Sequence, residues 1–389
     1  MLAVLHLSIQ PENKNMPVPA TDIRQESLIR KSWNFIKHQR GQYAQGILVT
    51  GPNSFIGTHV VKKLQDQWPG EIHLLVRTIS EEEAVVKMQQ SFQLRGLGEF
   101  DPGRFIIHLG DVCMHMMNLH YKEFCQLQAS TGHVIHLAMT PMYHLPYEHF
   151  QRIWVPELER MIAFCGDQEH PKFLHYASSF NANFFVDDDD FHSVNTNAWQ
   201  SGYAGFKWVA NQSLMNAMDH HLDACIYDLP LVLGSEKDGI CPTYYSIWLI
   251  LDIFLKTGRF FPFIFNIIPV DILADVMVWN ALNASSAKAS AFLRPMLDEP
   301  VTDRQFARTA ANLLGLRESS LHEVREACLN KLRFDFMMPG NFYELMEKVN
   351  GLKSVFPEGF DHDKLPTTTM VFISNLNRVM SMKNEVIRI

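Results

Sequence analysis

Short apolar runs alternate with amphipathic segments along the chain from position 46 to about position 235. The apolar runs lie at 46–50, 71–77, 104–110, 133–138, 172–178 and 223–229. The segments between them, including one at about 80–94, have helical spacing. Fully apolar strands that alternate with helices are typical of a parallel sheet covered on both faces. We therefore predict an α/β fold, a doubly wound parallel sheet of the Rossmann type, with functional groups at the carboxyl ends of its strands.

The same pattern divides the chain into three predicted parts. Residues 1–45 are polar and mixed and form an N-terminal arm whose role stays open. Residues 46–234 carry the alternation and form the Rossmann domain. Residues 235–389 have mainly helical patterns, which predict a smaller, mostly helical substrate domain over the carboxyl edge of the sheet.

Composition narrows the class of protein. The chain has 47% hydrophobic residues and a net charge of −8, which fit a globular protein and argue against a broad nucleic-acid-binding face. Its six cysteines are scattered without a C-x-x-C pair and its start lacks the features of a signal peptide, so we expect a cytoplasmic protein. Charged residues interrupt the most apolar stretch, 244–270, so we expect a buried helix and strand there and no stable membrane insertion.

A glycine-bearing turn follows the first predicted strand and opens the first helix, in VTGPNSFIGTHVV at 49–61. Gly51 and Gly57 stand where the backbone must bend and let a pyrophosphate approach the positive end of the helix. A simple tight turn is the alternative, but the position after the first strand of an alternating series favours a dinucleotide site.

The choice of dinucleotide depends on the end of the second strand. An acidic residue about twenty positions after the turn is typical of NAD sites, and an arginine is typical of a 2′-phosphate. Arg77 stands at that distance from Gly57 with no acid beside it, so the sequence favours NADPH. Lys87, one helix further on, is a second candidate contact to the phosphate. The alternative for Arg77 is a solvated residue at a strand end.

Three further residues suggest a reduction site. Tyr203 and Lys207 lie one helical turn apart, and Ser179 ends the fifth predicted strand. An adjacent ammonium lowers the pKa of a phenol from about 10 and makes it a better acid near neutrality. We predict that Ser179 polarises a carbonyl group, that Tyr203 protonates its oxygen, and that hydride arrives from a nicotinamide. Taken alone, the Tyr-x-x-x-Lys spacing is common by chance.

In context, the chain resembles the extended short-chain dehydrogenase/reductases, and most of all their thioester-reductase branch. That branch includes terminal reductase domains of nonribosomal peptide and polyketide synthetases, carboxylic acid reductases and fatty acyl-CoA reductases. The motifs that carry the resemblance are TGPNSFIG (50–57), LLVRT (74–78), LGDV (109–112), VIHLA (134–138), YASSF (176–180), YAGFK (203–207), LPLVLG (229–234) and IPVD (268–271). They stand in the family's order over about 46–389.

The resemblance implies roles for individual residues. Ser179, Tyr203 and Lys207 match the catalytic triad. The implied cofactor contacts are Thr50, Gly51, Asn53, Ser54, Phe55, Ile56, Gly57, Arg77, Lys87, Asp111, Val112, Leu137, Ala138, Tyr203, Lys207 and Pro230. Among them, Asp111 and Val112 match adenine contacts. A segment near 266–285, which contains IPVD, is expected to return to the NADP-binding domain 46–234.

Two departures from the family's pattern affect these expectations. Ser54 stands where the phosphate loop usually has a third glycine, and so places a side chain at the pyrophosphate. Trp154 stands where the family places an asparagine that supports a relay of protons through water and lysine. The first departure affects the expected affinity of the loop for the pyrophosphate. The second affects the expected resupply of protons to the catalytic tyrosine.

The leading hypothesis is therefore an NADPH-dependent reductase that converts an acyl thioester to an aldehyde or alcohol. Its substrate is expected on a carrier protein acting in trans or on CoA. One alternative is a non-redox release or cyclisation domain of the Dieckmann type, and another is a catalytically silent NADP-binding sensor. The acidic run VDDDDFH at 186–192 is interpreted as a solvated loop, and we predict no metal site.

Overall fold

The computed structural model describes residues 23–38, 43–139, 141–142, 145–187, 190–194, 202–242, 246–261, 266–284, 290–298, 315–328, 352–362, 365–368, 370–371, 374–375 and 378. Its strands are β1 Gly46–Thr50, β2 Ile72–Val76, β3 Ile106–Leu109, β4 Thr131–His136, β5 Phe173–Ala177, β6 Val186–Asp187, β7 Asp190–Val194, β8 Ala224–Tyr227, β9 Leu231–Leu233, β10 Arg259–Phe260, β11 Ile267–Pro269, β12 Phe292–Leu293 and β13 Arg317–Glu318. Its helices are α1 Phe55–Gln67, α2 Glu81–Leu94, α3 Tyr121–Ser130, α4 Tyr147–Cys165, α5 Gly202–Asp219, α6 Ser246–Thr257, α7 Val270–Leu282 and α8 Leu321–Ala327.

Seven strands form the main sheet, in the order β12-β8-β5-β4-β1-β2-β3. Every neighbouring pair in this sheet is parallel. The chain builds one half outward from β1 through β3, then crosses over and builds the other half outward from β4. The predicted doubly wound Rossmann fold is confirmed, and its switch point lies between β1 and β4.

The two faces of the sheet belong to two separate hydrophobic clusters. Ile47 and Val49 of β1 pack into one cluster, whereas Leu48 between them packs into the other. Successive side chains of a strand point to opposite faces, so a strand covered on both sides buries nearly all of its side chains and is mostly apolar. This requirement is the reason why the sequence shows continuous apolar runs.

Strand β4 differs from its predicted range of 133–138. It begins at Thr131, directly after α3, and ends at His136. The backbone amides of Leu137 and Ala138 donate to the side-chain hydroxyl of Thr50 at 3.1 and 3.3 Å. The chain therefore leaves the strand ladder at His136 and follows the end of β1.

The acidic run at 186–192 also differs from its interpretation as a loop. Its described residues include β6 and β7, which pair in antiparallel fashion. Valine and phenylalanine favour extended structure, and Val186, Phe191 and Val194 flank and interrupt the aspartates.

Helix α5 is buried on nearly all of its sides, although the sequence suggested an ordinary amphipathic helix. Part of the reason is the N-terminal arm, whose described residues 23–38 lie against α5 and α4. Asn216 of α5 donates from Nδ2 to the carbonyl oxygen of Lys31 at 2.8 Å. Glu26 accepts hydrogen bonds from Tyr147 Oη at 3.1 Å and Gln151 Nε2 at 2.9 Å on α4.

The segment 266–284 lies against the Rossmann half of the chain. Strand β11 pairs in parallel with β9, and α7 packs along α1, where Lys63 and Asp275 form an ion pair of 2.6 Å. The division of the chain into domains stays a prediction. Among the described residues, no helix combines the length and apolar character needed to cross a bilayer.

Histidines fill several interior positions of the sheet and its first helix. Burial lowers the pKa of His59, His73 and His133 to about 4, and it lowers the pKa of His175 well below its ordinary value. The unfolded chain binds a proton at each of these sites near pH 6.5, whereas the folded chain does not. The contribution of these histidines to the free energy of unfolding should therefore be complete above about pH 6.5. It should decrease as the pH falls toward 4.

His133 provides a test of this pH dependence. Its ring packs 5.3 Å from Trp68 and 5.5 Å from Tyr43, and none of the described residues forms a hydrogen bond with its Nδ1. Phenylalanine should fit this aromatic setting without taking up a proton. In His133→Phe, the loss of unfolding free energy between pH 7 and pH 5 should shrink by about 1–2 kcal/mol. Urea denaturation at both pH values measures this loss.

The matched control is His170→Gln, because the His170 side chain is exposed in both the folded and the unfolded chain. This variant should keep the full pH dependence. An equal effect of the two substitutions would contradict the assignment of the acid sensitivity to burial.

Candidate active site

The predicted site residues converge on the carboxyl edge of the sheet. Thr50 ends β1, Arg77 follows β2, Asp111 follows β3, Leu137 follows β4, and Ser179 follows β5. The carboxyl ends of parallel strands meet at one edge, so these side chains come together although they are far apart in sequence. Tyr203 and Lys207 enter the same edge from α5.

Two glycines in the turn after β1 have no room for a side chain. Gly51 has a φ of +66°, and a Cβ there would lie 2.9 Å from the backbone of Leu137 and Ala138. A Cβ on Gly57 would lie 2.1 Å from the carbonyl oxygen of Gly51. The turn thus passes closely under the end of β4 and opens directly into α1. This is the backbone cradle that a pyrophosphate needs at a helix N-terminus.

Ser54 has a structural role in this turn. It is the N-cap of α1, and its Oγ accepts a hydrogen bond from the Gly57 amide at 3.0 Å. An N-cap of this kind stabilises the first turn of a helix. It also occupies one amide that a glycine at this position would have left for an anion. The positive end of the α1 dipole remains at the turn.

The remaining residues of the turn differ in exposure. Asn53 is exposed, Ile56 is half-buried, and Phe55 is buried with its ring 5.8 Å from that of His59. Phe55 therefore packs into the protein with its ring, and only its backbone lies at the turn. The other implied contacts Val112, Leu137 and Pro230 are buried, and Ala138 is half-buried.

A cavity of about 180 Å³ lies between the ends of β2 and β3. Its lining residues are Arg77, Thr78, Leu109, Gly110, Asp111, Met114 and Asn118. The side chain of Arg77 is 82% exposed, with Nη1 3.6 Å from Asp111 Oδ2. Lys87 donates from Nζ to the carbonyl oxygen of Arg77 at 3.2 Å and pairs with Glu83 at 2.9 Å. Two cations therefore lie at the side of the cavity near β2.

The far side of this cavity has an unusual backbone. Met116, Met117 and Asn118 are consecutive left-handed residues, with φ values of 47°, 56° and 61°. The carbonyl oxygen of Met117 accepts from the Asp111 amide at 2.9 Å, which holds the segment against the end of β3. Left-handed residues other than glycine cost free energy and concentrate at binding sites. Nothing in the sequence signalled this conformation.

Lys207 lies inside the protein, one turn after Tyr203. Its Nζ donates to the carbonyl oxygen of Ala177 at 2.7 Å and to Tyr176 Oη at 3.2 Å. The same atom lies 5.9 Å from the centre of the Tyr203 ring. Burial lowers the pKa of Lys207 to about 7, although the carboxylate of Glu157 acts in the opposite direction. A lysine of this kind changes its charge near neutrality.

The two serines after β5 have different environments. Ser178 donates from Oγ to Asn211 Oδ1 at 2.6 Å, and so it is bound to α5. Among the described residues, Ser179 Oγ takes part in one hydrogen bond, a long one of 3.4 Å that it accepts from the Asn181 amide. Both serines are buried. The hydroxyl of Ser179 therefore retains its proton for another acceptor.

A buried polar group that sequence analysis missed lies below Lys207. His136 at the end of β4 has its Nδ1 2.9 Å from Thr50 Oγ1 and its Nε2 3.5 Å from Glu157 Oε1. The His136 ring stacks on that of Tyr176 with 5.8 Å between ring centres. Glu157, on α4, is 2% exposed. Its signal in the sequence was a carboxylate at helical spacing from the apolar residues Phe150 and Met161.

Trp154 lies one turn before Glu157 on the same helix. Its indole Nε1 is buried and has no hydrogen-bond partner within the described part of the chain. The N–H of Trp154 therefore joins no hydrogen-bonded chain among these residues.

Comparisons with known proteins point to one family. An NAD-binding family described as "Male sterility protein" matches residues 49–277. A linear gramicidin synthase of Brevibacillus parabrevis is 24% identical over 225 residues, which are 55% of this chain and 4% of that protein. The chain spans between 4% and 17% of the length of the curated relatives that it matches.

Solved structures share the fold. The terminal R domain from the myxalamid PKS-NRPS biosynthetic pathway matches with a TM-score of 0.71 and 16% identity, over 88% of this chain and 92% of that one. A thiolation-reductase di-domain from an archaeal non-ribosomal peptide synthetase matches with a TM-score of 0.69 and 14% identity, over 93% and 80% of the two chains. At this identity, the similarity describes the fold alone.

The two serines can be distinguished by stability. In Ser178→Ala, the buried Asn211 Oδ1 loses its hydroxyl donor, which should reduce the free energy of unfolding by about 1–3 kcal/mol. In Ser179→Ala, only the 3.4 Å bond is lost, so the reduction should stay below about 1 kcal/mol. Urea denaturation of both variants measures the contrast. Equal losses would show that Ser178 is not the structural serine of the pair.

Proposed function

The chain belongs to the NAD-binding family described as "Male sterility protein", and on that premise we propose that it is an NADPH-dependent reductase of acyl thioesters. The resemblance to extended short-chain dehydrogenase/reductases agrees with this membership. The proposed substrate is an acyl group bound as a thioester to the phosphopantetheine arm of a carrier protein or of CoA. The proposed product is an aldehyde, which a second reduction converts to an alcohol.

The observation that carries the proposal is the buried Lys207 ammonium 5.9 Å from the Tyr203 ring. A cation so close to a phenol favours the phenolate and thereby lowers the pKa of the phenol. Tyr203 is itself 8% exposed, so solvent screens the interaction only weakly. A catalytically silent sensor would not need this arrangement.

The residues of the turn after β1 fit a bound dinucleotide. Gly51 and Gly57 leave space for the pyrophosphate, and the α1 N-terminus supplies the positive pole. A bound nicotinamide would supply the hydride for the carbonyl carbon. Arg77 and Lys87 would hold the 2′-phosphate of NADPH beside the cavity at β2 and β3, because guanidinium and ammonium groups bind phosphate strongly.

The residues of the chain then have separate roles. Ser179 donates a hydrogen bond to the thioester carbonyl oxygen and polarises it. Tyr203 gives its proton to this oxygen as negative charge develops, and a hemithioacetal forms. Tyr203 then takes the hydroxyl proton back, the aldehyde carbonyl re-forms as the carbon–sulfur bond breaks, and the departing thiolate takes a proton from water to become a thiol. Lys207 stabilises the phenolate between these two steps.

The thioester end is common to carrier proteins and to CoA, so the site itself does not separate the two donors. The structural relative that pairs a thiolation domain with a reductase favours a carrier protein. The chain would then receive its acyl group in trans.

Tyr203→Phe is the test of the reaction. With NADPH and an acyl thioester, the wild type should oxidise NADPH and release a thiol. Tyr203→Phe should reduce kcat by about 100-fold or more, because the proton donor is lost, while the Kd for NADPH changes little. Absorbance of the reduced nicotinamide measures kcat, a thiol assay and product analysis measure the released thiol and the product, and quenching of intrinsic fluorescence measures the Kd. Ser179→Ala should resemble Tyr203→Phe, and Ser178→Ala serves as the matched serine control that keeps activity where it is folded.

Other results would support other functions. Thioester consumption without loss of NADPH would indicate non-redox release or cyclisation. Cofactor binding without turnover in both wild type and Tyr203→Phe would indicate a sensor. Either result would contradict the proposed reductase.

Arg77→Ala tests the choice of cofactor. The exposed guanidinium should contact only the 2′-phosphate, so the Kd for NADPH should rise about 10-fold while the Kd for NADH stays the same. Equilibrium binding by quenching of intrinsic fluorescence measures both constants. Lys62→Ala is the control for loss of a surface cation, because Lys62 pairs with Asp66 on α1. An equal loss of NADH affinity in Arg77→Ala would contradict recognition of the 2′-phosphate.

A further inference from the structure

In the described part of the chain, the Lys207 ammonium donates hydrogen bonds only to neutral acceptors. These acceptors are the carbonyl oxygen of Ala177 and the hydroxyl of Tyr176. The side chain is 4% exposed, so water does little to stabilise its charge. A buried cation without a counter-ion gives up its proton. A neutral lysine would no longer assist Tyr203, so the site needs a negative charge nearby.

Glu157 is placed to supply this charge. It lies on α4, which packs along α5, and it is 2% exposed. Its carboxylate raises the pKa of Lys207 against the effect of burial. It also adds to burial in raising the pKa of Tyr176, so that the phenol keeps its proton. The Glu157 carboxylate thus favours the charged form of Lys207 and the neutral form of Tyr176.

The hydrogen bonds around Thr50 determine how His136 faces this carboxylate. Thr50 Oγ1 accepts from the amides of Leu137 and Ala138, which occupy its lone pairs. Its own hydrogen is left to donate to His136 Nδ1 at 2.9 Å. In neutral His136 the ring proton therefore lies on Nε2, and this nitrogen is 3.5 Å from Glu157 Oε1. Among the described residues Glu157 Oε1 accepts no hydrogen bond, so the contact between the ring and the carboxylate is electrostatic.

We propose that Glu157 is a positioning residue, whose carboxylate lies beside His136 and keeps the Lys207 ammonium charged beside Tyr203. The proposal rests on the proposed function only in its assumption that this charge serves catalysis. Glu157 touches neither substrate nor cofactor in this role and acts through Lys207.

The other groups near the pair do not replace Glu157. Cys113 and Cys165 have their pKa raised to about 12, mainly by burial, so both thiols stay uncharged near neutrality. Arg160, one turn further along α4, donates to the carbonyl oxygen of Cys113 at 2.7 Å. Asp111 follows β3 and lies toward Arg77. Glu157 is the buried carboxylate that adjoins this group, because it lies 3.5 Å from His136, whose ring stacks on that of Tyr176, and Tyr176 Oη accepts from Lys207 Nζ at 3.2 Å.

Titration of Lys207 in Glu157→Gln tests the proposal without substrate or cofactor. Glutamine keeps the shape of the side chain and removes its charge, so the apparent pKa of Lys207 should fall by about 1 unit or more. NMR of protein labelled with [ε-¹³C]lysine measures this value, with the Lys207 signal assigned by its loss in Lys207→Met. An unchanged Lys207 titration would overturn the proposal.

Two controls separate charge from general disturbance. Lys172 is also buried, with its pKa lowered to about 8, and Glu157 is not among the causes. Its titration should be the same in wild type and Glu157→Gln. Glu159→Gln removes a charge from the exposed side of α4, where Glu159 pairs with Lys31, and should leave Lys207 unchanged. A shift of both lysines, or an equal effect of Glu159→Gln, would contradict a specific role of Glu157.

A double variant tests the proposal if Glu157→Gln alone does not fold. If the carboxylate serves only as the counter-ion of Lys207, it is dispensable once the ammonium is gone. Glu157→Gln combined with Lys207→Met should then fold. Failure of this double variant would assign Glu157 a general structural role and overturn the proposal.

Kinetic measurements distinguish a failure of this inference from a failure of the proposed function. Where thioester reduction is observed, kcat should fall at alkaline pH, and this fall should begin at lower pH in Glu157→Gln. The displacement should equal the change in the apparent pKa of Lys207 measured by NMR. An unmoved pH profile in an active Glu157→Gln would contradict the catalytic part. Where no thioester is reduced but the Lys207 titration shifts, the proposed function fails and the electrostatic pairing of Glu157 with Lys207 stands.

Discussion

The burial of one ammonium group organises the candidate site. Lys207 reaches from α5 to the carbonyl oxygen of Ala177, the last residue of β5, and this contact joins the helix of Tyr203 to the strand that precedes Ser179. A charge in the interior is costly unless its surroundings compensate for it. Tyr176 and the backbone end of β5, together with Glu157 of α4, provide that compensation. The position of α5 on the sheet and the charge of Lys207 therefore depend on each other.

Thr50 connects this group with the dinucleotide cradle. It is the last residue of β1, and the glycine turn begins directly after it. Its hydroxyl contacts the amides that end β4 and the ring of His136, whose other nitrogen faces Glu157. Side chains between the glycine turn and α5 thus form a polar group inside a mostly apolar sheet. Buried polar groups of this kind fix relative positions because each unpaired member would lose free energy.

The N-terminal arm contributes to the same arrangement from outside. Glu26 binds side chains of α4, while the backbone at Lys31 binds Asn216 of α5. Trp33 and Leu28 of the arm are buried against these helices. The arm therefore covers the pair of helices that carries Glu157 and Lys207, and its shielding from water strengthens their electrostatic interaction.

The sequence by itself determined the features that depend on neighbouring residues. Continuous apolar runs predicted the strands because both faces of the sheet are covered, and the turn at Gly51 and Gly57 and the spacing of Tyr203 and Lys207 are local geometry. Tertiary structure decided which distant groups meet. Glu157, His136 and Tyr176 lie on α4, β4 and β5, and no local pattern reveals that they surround Lys207. The left-handed turn at Met116 was likewise set by contacts at the end of β3, where packing against neighbouring elements overrides local preference.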